Sequence, residues 1–121
     1  MPITLEAYGE LLSLEYPVHR KDFAAIYDRV RRTSLCRRTV FEAAQISHAV
    51  DLATAFYFRK TLCLQRSAAT VRLLKRHGFP AQLVIGVQQL PFAAHAWVEL
   101  DGVVVNDKSY MPQMYSVLER C

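Results

Sequence analysis

Apolar residues in this chain recur at helical spacing through its first half and again from 64 to 76, then switch to strand-like runs from 81 onward. That one change of period confines the chain to helices followed by a small sheet, an α+β layout. The spacing predicts a first helix over 4–14, with Leu5, Tyr8, Leu11 and Leu12 on one side and Pro17 as its stop. A second spans 22–32, with Phe23, Ile26, Tyr27 and Val30 at helical intervals, before the polar, basic stretch from Arg31 to Arg38. A third begins at Thr39, which forms a capping box with Glu42, and carries Phe41, Ala44, His48, Leu52 and Phe56 along one face. The fourth, 64–76, aligns Leu64, Ala68, Val71 and Leu74, with Gly78 as its C-terminal cap and Pro80 as its stop.

Strands are expected over 81–87, 94–100 and 103–107, and the tail from Lys108, with Tyr110, Tyr115 and Leu118, is expected to pack back on the sheet. Asp101-Gly102 between alternating runs signals a hairpin. Two registers are open. A three-residue bulged loop, Leu100-Asp101-Gly102, sets Trp97 opposite Val105 and His95 opposite Asp107. A two-residue turn pairs Leu100 with Val103 and sends His95 and Asp107 to opposite faces, so bringing those two together requires the bulged loop or a bulge elsewhere in the hairpin.

The 121 residues suit a single domain, 1–121, made of a helical part (1–60) and a helix-plus-antiparallel-sheet part (61–121). With 52% hydrophobic and 21% charged residues the chain has the balance of an ordinary globular protein, which excludes a disordered one. No apolar run approaches bilayer-spanning length, and MPITLEAYGELL lacks the basic and apolar regions of a signal peptide, so the expected setting is the cytoplasm, away from membranes. Three cysteines, Cys36, Cys63 and Cys121, are too few and too scattered for a disulfide framework and fit a reducing compartment.

Cys63 stands at the start of the fourth helix, where unpaired amides and the helix dipole stabilise an anion. That position suits a thiolate nucleophile and an oxyanion donor. A nucleophile needs a base and the base an orienting partner, for which His95 and Asp107 are the candidates. The same residues also read as a small buried filler, a hydrogen-bonded strand histidine and a strand-ending aspartate beside Asn106.

The stretch CLQRSAATVRLLKRHGFPAQLVIGV followed by PFAAHAWVELDGVVVND, residues 63–87 and 91–107, resembles the transglutaminase-like domain of lasso-peptide maturation proteases, the B2 proteins. Shared features are the CL-x-RS helix start, the basic-Gly-x-Pro-Ala turn, the LVIGV strand, F-x-AHAWVE-x-DG and the closing Asp. The resemblance covers roughly the C-terminal half. It implies a transglutaminase-like, papain-like core, with the catalytic cysteine at the start of a helix packed on a small antiparallel sheet. It also implies a cysteine peptidase in which Cys63 is nucleophile, His95 general base and then acid, and Asp107 the residue orienting His95. Such enzymes remove the leader from a ribosomally made precursor peptide. They work with a separate leader-binding, PqqD-like B1 protein, ahead of an ATP-using macrolactam cyclase. No cofactor is implied. Acyl transfer on the same triad and a non-catalytic peptide-binding adaptor are the alternatives.

Leu62, Phe92, Ala94 and Trp97 are candidates for lining the cleft, with sheet packing the competing role for Trp97. His48 is expected in the core, His77 near a helix end and His19 in a loop. None has metal-ligand spacing, so no metal is expected. The net charge of +4 is concentrated in Arg29, Arg31, Arg32, Arg37 and Arg38, a solvated face or a docking surface for an acidic leader or B1. Without interleaved aromatics this segment does not read as a nucleic-acid site. Cys36, among those arginines, is a rival reactive thiol with no matching histidine. Cys121, as the last residue, is expected to fray.

Overall fold

The computed structural model describes residues 3–35, 41–58, 63–89, 92–106 and 114–121, with Gln89 and Phe92 described by backbone alone. The first helix, α1, runs Ile3–His19 and passes through Pro17 instead of stopping before it. Proline leaves the carbonyl four residues back without its helical donor. Here that carbonyl, Ser13 O, accepts from the Arg29 guanidinium, so the helix continues and His19 belongs to its last turn. Its end is a Schellman motif: Lys21 sits at φ 55°, and the amides of Lys21 and Asp22 donate to Val18 O (3.0 Å) and Pro17 O (2.9 Å). Ala7, Leu11 and Leu14 are buried, whereas Leu5 and Leu12 are exposed, so the buried stripe is rotated from the expected one.

Asp22 then caps α2 (Phe23–Arg32), its carboxylate accepting from the Ala25 amide at 3.2 Å. Helix α3 (Ala43–Ala55) opens on a capping box, but Glu42 is its N-cap and Gln45 the partner; Thr39 lies outside the described residues. Its buried face is Ile46, Ala49, Val50 and Ala53, while Ala44, His48, Leu52 and Phe56 face solvent. Both lines have helical spacing. The one that wins holds two β-branched side chains and Ser47, whose hydroxyl donates to Val105 O at 3.3 Å. His48 is thus exposed, not a core histidine.

Helix α4 (Cys63–Arg76) ends as expected at Gly78, φ 93°, in a second Schellman motif closed by the Phe79 amide on Leu74 O at 2.9 Å. It packs on α1 and α3 on one side and on the sheet on the other. The sheet is antiparallel in the order β3-β2-β1-β4, formed by β1 (Gln82–Gln89), β2 (Phe92–Leu100), β3 (Val103–Val104) and β4 (Ser116–Arg120). Leu83, Ala96 and Val98 face the helices and join the main core; Val84 and Trp97 form a second cluster with Val104, Tyr115 and Val117.

The structure selects one of the two open hairpin registers and corrects one expectation about the sheet. The hairpin uses the two-residue turn, not the bulged loop: Leu100 pairs with Val103, and Asp101 and Gly102 lie at φ 53° and 79°. A turn with two left-handed centres matches the twist of the strands, and Asp tolerates that conformation. The last strand is also short. After the Val105 amide donates to Val98 O (3.0 Å), the Asn106 side chain accepts from the Val98 amide (2.8 Å), and the ladder ends. The tail does return to the sheet, as β4. Cys121 is not frayed, because its amide and carbonyl exchange hydrogen bonds with Leu83 at 2.8 and 2.7 Å.

Candidate active site

Cys63 is the first residue of α4 and is partly exposed. The residues just after it hold that helix start in place. Gln65, only 2% exposed, donates through Nε2 to Leu11 O at 3.0 Å, beside the Tyr57 hydroxyl, which donates to Glu15 Oε1 at 2.9 Å. Burial and the Glu15 carboxylate push the Tyr57 hydroxyl well above the ordinary tyrosine range, so it stays a donor. Arg66 reaches Asp51 of α3 at 3.8 Å. Ser67, one turn after Cys63 and fully buried, donates to Ala96 O at 3.1 Å, joining α4 to β2 beside His95.

His95 lies on β2 opposite Gly86 of β1. Its ring stacks near-parallel with Trp97 (6.3 Å, 25°) and Tyr115 (5.8 Å, 26°). Space for this aromatic group comes from Gly86: a Cβ there meets Trp97 Cη2 at 2.6 Å and Tyr115 Cβ at 2.8 Å. Trp97 itself is fully buried, and its indole N–H donates to buried Glu99 at 3.0 Å. Glu99 is also reached by Arg120 Nε at 3.4 Å.

Cys63 and His95 line one cavity of about 380 Å³, together with Leu64, Ala94, Ala96, Ile85 and, from α2, Phe23 and Tyr27. The walls are mostly apolar, which suits a hydrophobic side chain of a peptide. Strand alternation directs the His95 side chain to the Trp97 face, whereas Cys63 packs with the core on the Ala96 face. Among the described residues β3 pairs only with Glu99 and Leu100, so the edge of β2 beyond them has no strand partner.

Of the expected cleft residues, Ala94 lines the cavity and Trp97 does not; Trp97 packs behind His95. Leu62, the side chain of Phe92, Cys36 and Asp107 lie outside the described residues. Asn106, immediately before Asp107, is described. Its Oδ1 accepts from the Val98 amide, and its Nδ2 donates to Ser67 Oγ at 3.0 Å, so the chain is tied to both β2 and α4 at that point. In the sequence Asn106 stands out only as the neighbour of Asp107, and no motif marks Gln65, Ser67, Phe23 or Tyr27 as site residues. Phe23 and Tyr27 were visible only as an i, i+4 pair, a spacing that marks core and cavity wall alike. Among the described residues no cluster of metal-ligating side chains occurs, and no helix is long and apolar enough to cross a membrane.

The model of one family, described as the transglutaminase-like superfamily, matches residues 11–120. The microcin J25-processing protein McjB of Escherichia coli is 44% identical over 59 residues, which are 49% of this chain and 28% of that relative. The chain thus spans less than a third of the curated relative it matches. No solved structure is a significant match.

Proposed function

The chain belongs to the transglutaminase-like superfamily, and from that premise we propose that it is a cysteine peptidase that removes the leader from a lasso-peptide precursor. The carrying observation is that Cys63, at the first turn of a helix, and His95 line the same apolar cavity of about 380 Å³. Similarity to a microcin-processing protein supports the substrate class, a ribosomally made precursor peptide.

In this reading the His95 imidazole turns from the Trp97 face, where it stacks, toward the cavity and takes the Cys63 proton as Sγ attacks the scissile carbonyl, and the Cys63 amide donates to the oxyanion. His95 then returns the proton to the leaving amine, and the leader remains as a thioester. Water, deprotonated by His95, hydrolyses the thioester and restores the thiol. Asp107 orients the imidazole, as the resemblance of the stretch ending in Val105-Asn106-Asp107 implies. After a two-residue turn strict alternation sends Asp107 to the face away from His95, so this role requires the alternation to break at Asn106, where the side chain in place of the backbone accepts from the Val98 amide and donates to Ser67. A separate leader-binding B1 protein presents the substrate, and the cyclase acts on the freed core.

The test is cleavage of a precursor peptide in the presence of a B1-type partner, read by mass spectrometry. Expected are a free leader acid and a core peptide, with Cys63→Ala and His95→Ala reducing the rate by about a thousandfold or more. A leader joined to an amine in place of water would identify an acyltransferase. Full cleavage by Cys63→Ala would overturn both readings and leave a binding adaptor.

A further inference from the structure

A second, larger cavity, of about 500 Å³, opens between α2 and α4 and is lined by Asp28, Arg29, Arg32, Thr33, Arg72 and Arg76 among others. Four guanidiniums gathered this closely repel one another unless anions lie among them. Glu10 is one such anion. It is buried between Arg76 Nε (3.0 Å) and Arg72 Nη1 (3.3 Å). Asp28 is another, and it pairs at 3.1 Å with Arg32, one helical turn away at the surface, where such a pair contributes little.

The arginines divide into two sets. Arg29 and Arg72 are anchored: Arg29 satisfies Ser13 O, and Arg72, 13% exposed, donates to Thr33 Oγ1 at 3.2 Å and Ser13 Oγ at 2.8 Å. Arg32 and Arg76 are more exposed, 80% and 49%, and each turns its Nε to a carboxylate, Arg32 to Asp28 and Arg76 to Glu10. Four guanidiniums set against two carboxylates leave this groove net positive, and its two more exposed arginines suit further carboxylates, which guanidinium groups bind in bidentate fashion. Among the described residues the lining holds no aromatic on which a nucleobase could stack, which favours an acidic peptide over a nucleic acid.

The groove shares both helices with the cavity around Cys63. Phe23 and Tyr27 of α2 line that cavity while Asp28, Arg29 and Arg32 line this one, and Arg72 and Arg76 follow Cys63 along α4. At 1.5 Å per residue the two arginines lie about 14 and 20 Å from Cys63 along the helix, the reach of about four to six residues of extended peptide. Resting on the peptidase reading, we infer that this groove is a second subsite of the substrate cleft, binding a Glu- or Asp-bearing stretch about four to six residues from the bond presented to Cys63.

The experiment uses the full chain and synthetic probes, so it needs no turnover. A fluorescein-labelled hexaglutamate is titrated against hexaglutamine and a short oligothymidylate, by anisotropy. Expected is salt-sensitive binding of hexaglutamate alone, weakened about tenfold by Arg32→Gln and by Arg76→Gln, tightened by Asp28→Asn and unaltered by Arg20→Gln. Arg32 projects into solvent, so its variant tests the groove without endangering the fold. A second arm measures spacing: triglutamate peptides with a chloroacetyl group on Gly-Ser spacers of increasing length should alkylate Cys63 fastest when the spacer is about five residues. Equal binding of hexaglutamine, an Arg20→Gln loss as large as the groove variants', tighter oligothymidylate binding lost with the same variants, or labelling indifferent to spacer length overturns the inference. If both arms succeed while no precursor is cleaved, the acidic subsite stands and the peptidase reading falls.

Discussion

Gly86 sits where the His95, Trp97 and Tyr115 rings converge, and the close approach of Trp97 leaves no room for a Cβ. Gly86→Ala is therefore expected to cost about 1–3 kcal/mol through overpacking, read as a lowered urea midpoint; an unchanged midpoint would mean that the rings pack elsewhere. Cysteine chemistry separates at the same scale. Burial pushes the Cys121 thiol up, and its backbone is locked to Leu83, whereas Cys63 opens on a cavity. In peptide-mapped alkylation by iodoacetamide Cys63 should be modified well before Cys121, and its lead should shrink in His95→Ala. A Cys121 that reacts first would contradict the burial of its thiol beside Leu83.

At the scale of elements, α1 and α2 depend on each other through one carbonyl. Pro17 removes the donor to Ser13 O, and Arg29 replaces it. Arg29→Met should cost about 0.5–1.5 kcal/mol in the native background and less in a Pro17→Ala background, where residue 17 regains its amide. The double-mutant cycle measures this coupling, and strict additivity would show that Arg29 does not replace the missing donor. Further along, Arg72 and Lys75 bind α4 to the end of α2, the latter through Val30 O at 2.8 Å. One helix pair thereby supports both the Cys63 cavity and the arginine groove.

For the molecule as a whole, the contact of α1 with α4 encloses the Glu10 carboxylate. Burial raises its affinity for a proton above the ordinary carboxylate value of 4.5, with Arg72 and Arg76 pulling the other way. A carboxyl whose folded-state pKa is raised contributes stability that is fully present below the unfolded-state value and is lost as pH rises through the folded-state value. The stability of the wild type relative to Glu10→Gln should accordingly fall as pH climbs from about 4.5, in paired urea titrations. A wild type that gains on the variant over that span would mean that the two arginines outweigh burial.

Much of this architecture is local and could be read along the chain. The helix-then-strand order, Gly78 as a cap and Asp101-Gly102 as a turn follow from backbone conformations that few residues adopt. The position of Cys63 at a helix start and of His95 in a strand follows from periodicity. Long-range events decided the rest. Pro17 reads as a helix stop until Arg29, supplied by another helix, takes its carbonyl. α3 carries apolar residues on two faces, and only packing against α1 and α4 selected the Ile46 face. The hairpin register turned on two φ angles, and its end on Asn106 reaching Ser67 across 39 residues of sequence. The sequence by itself determined which residues could do chemistry and on which elements they sit. Only the tertiary structure decided which of them share a cavity, because a side chain's neighbours are set by packing between elements far apart in the chain.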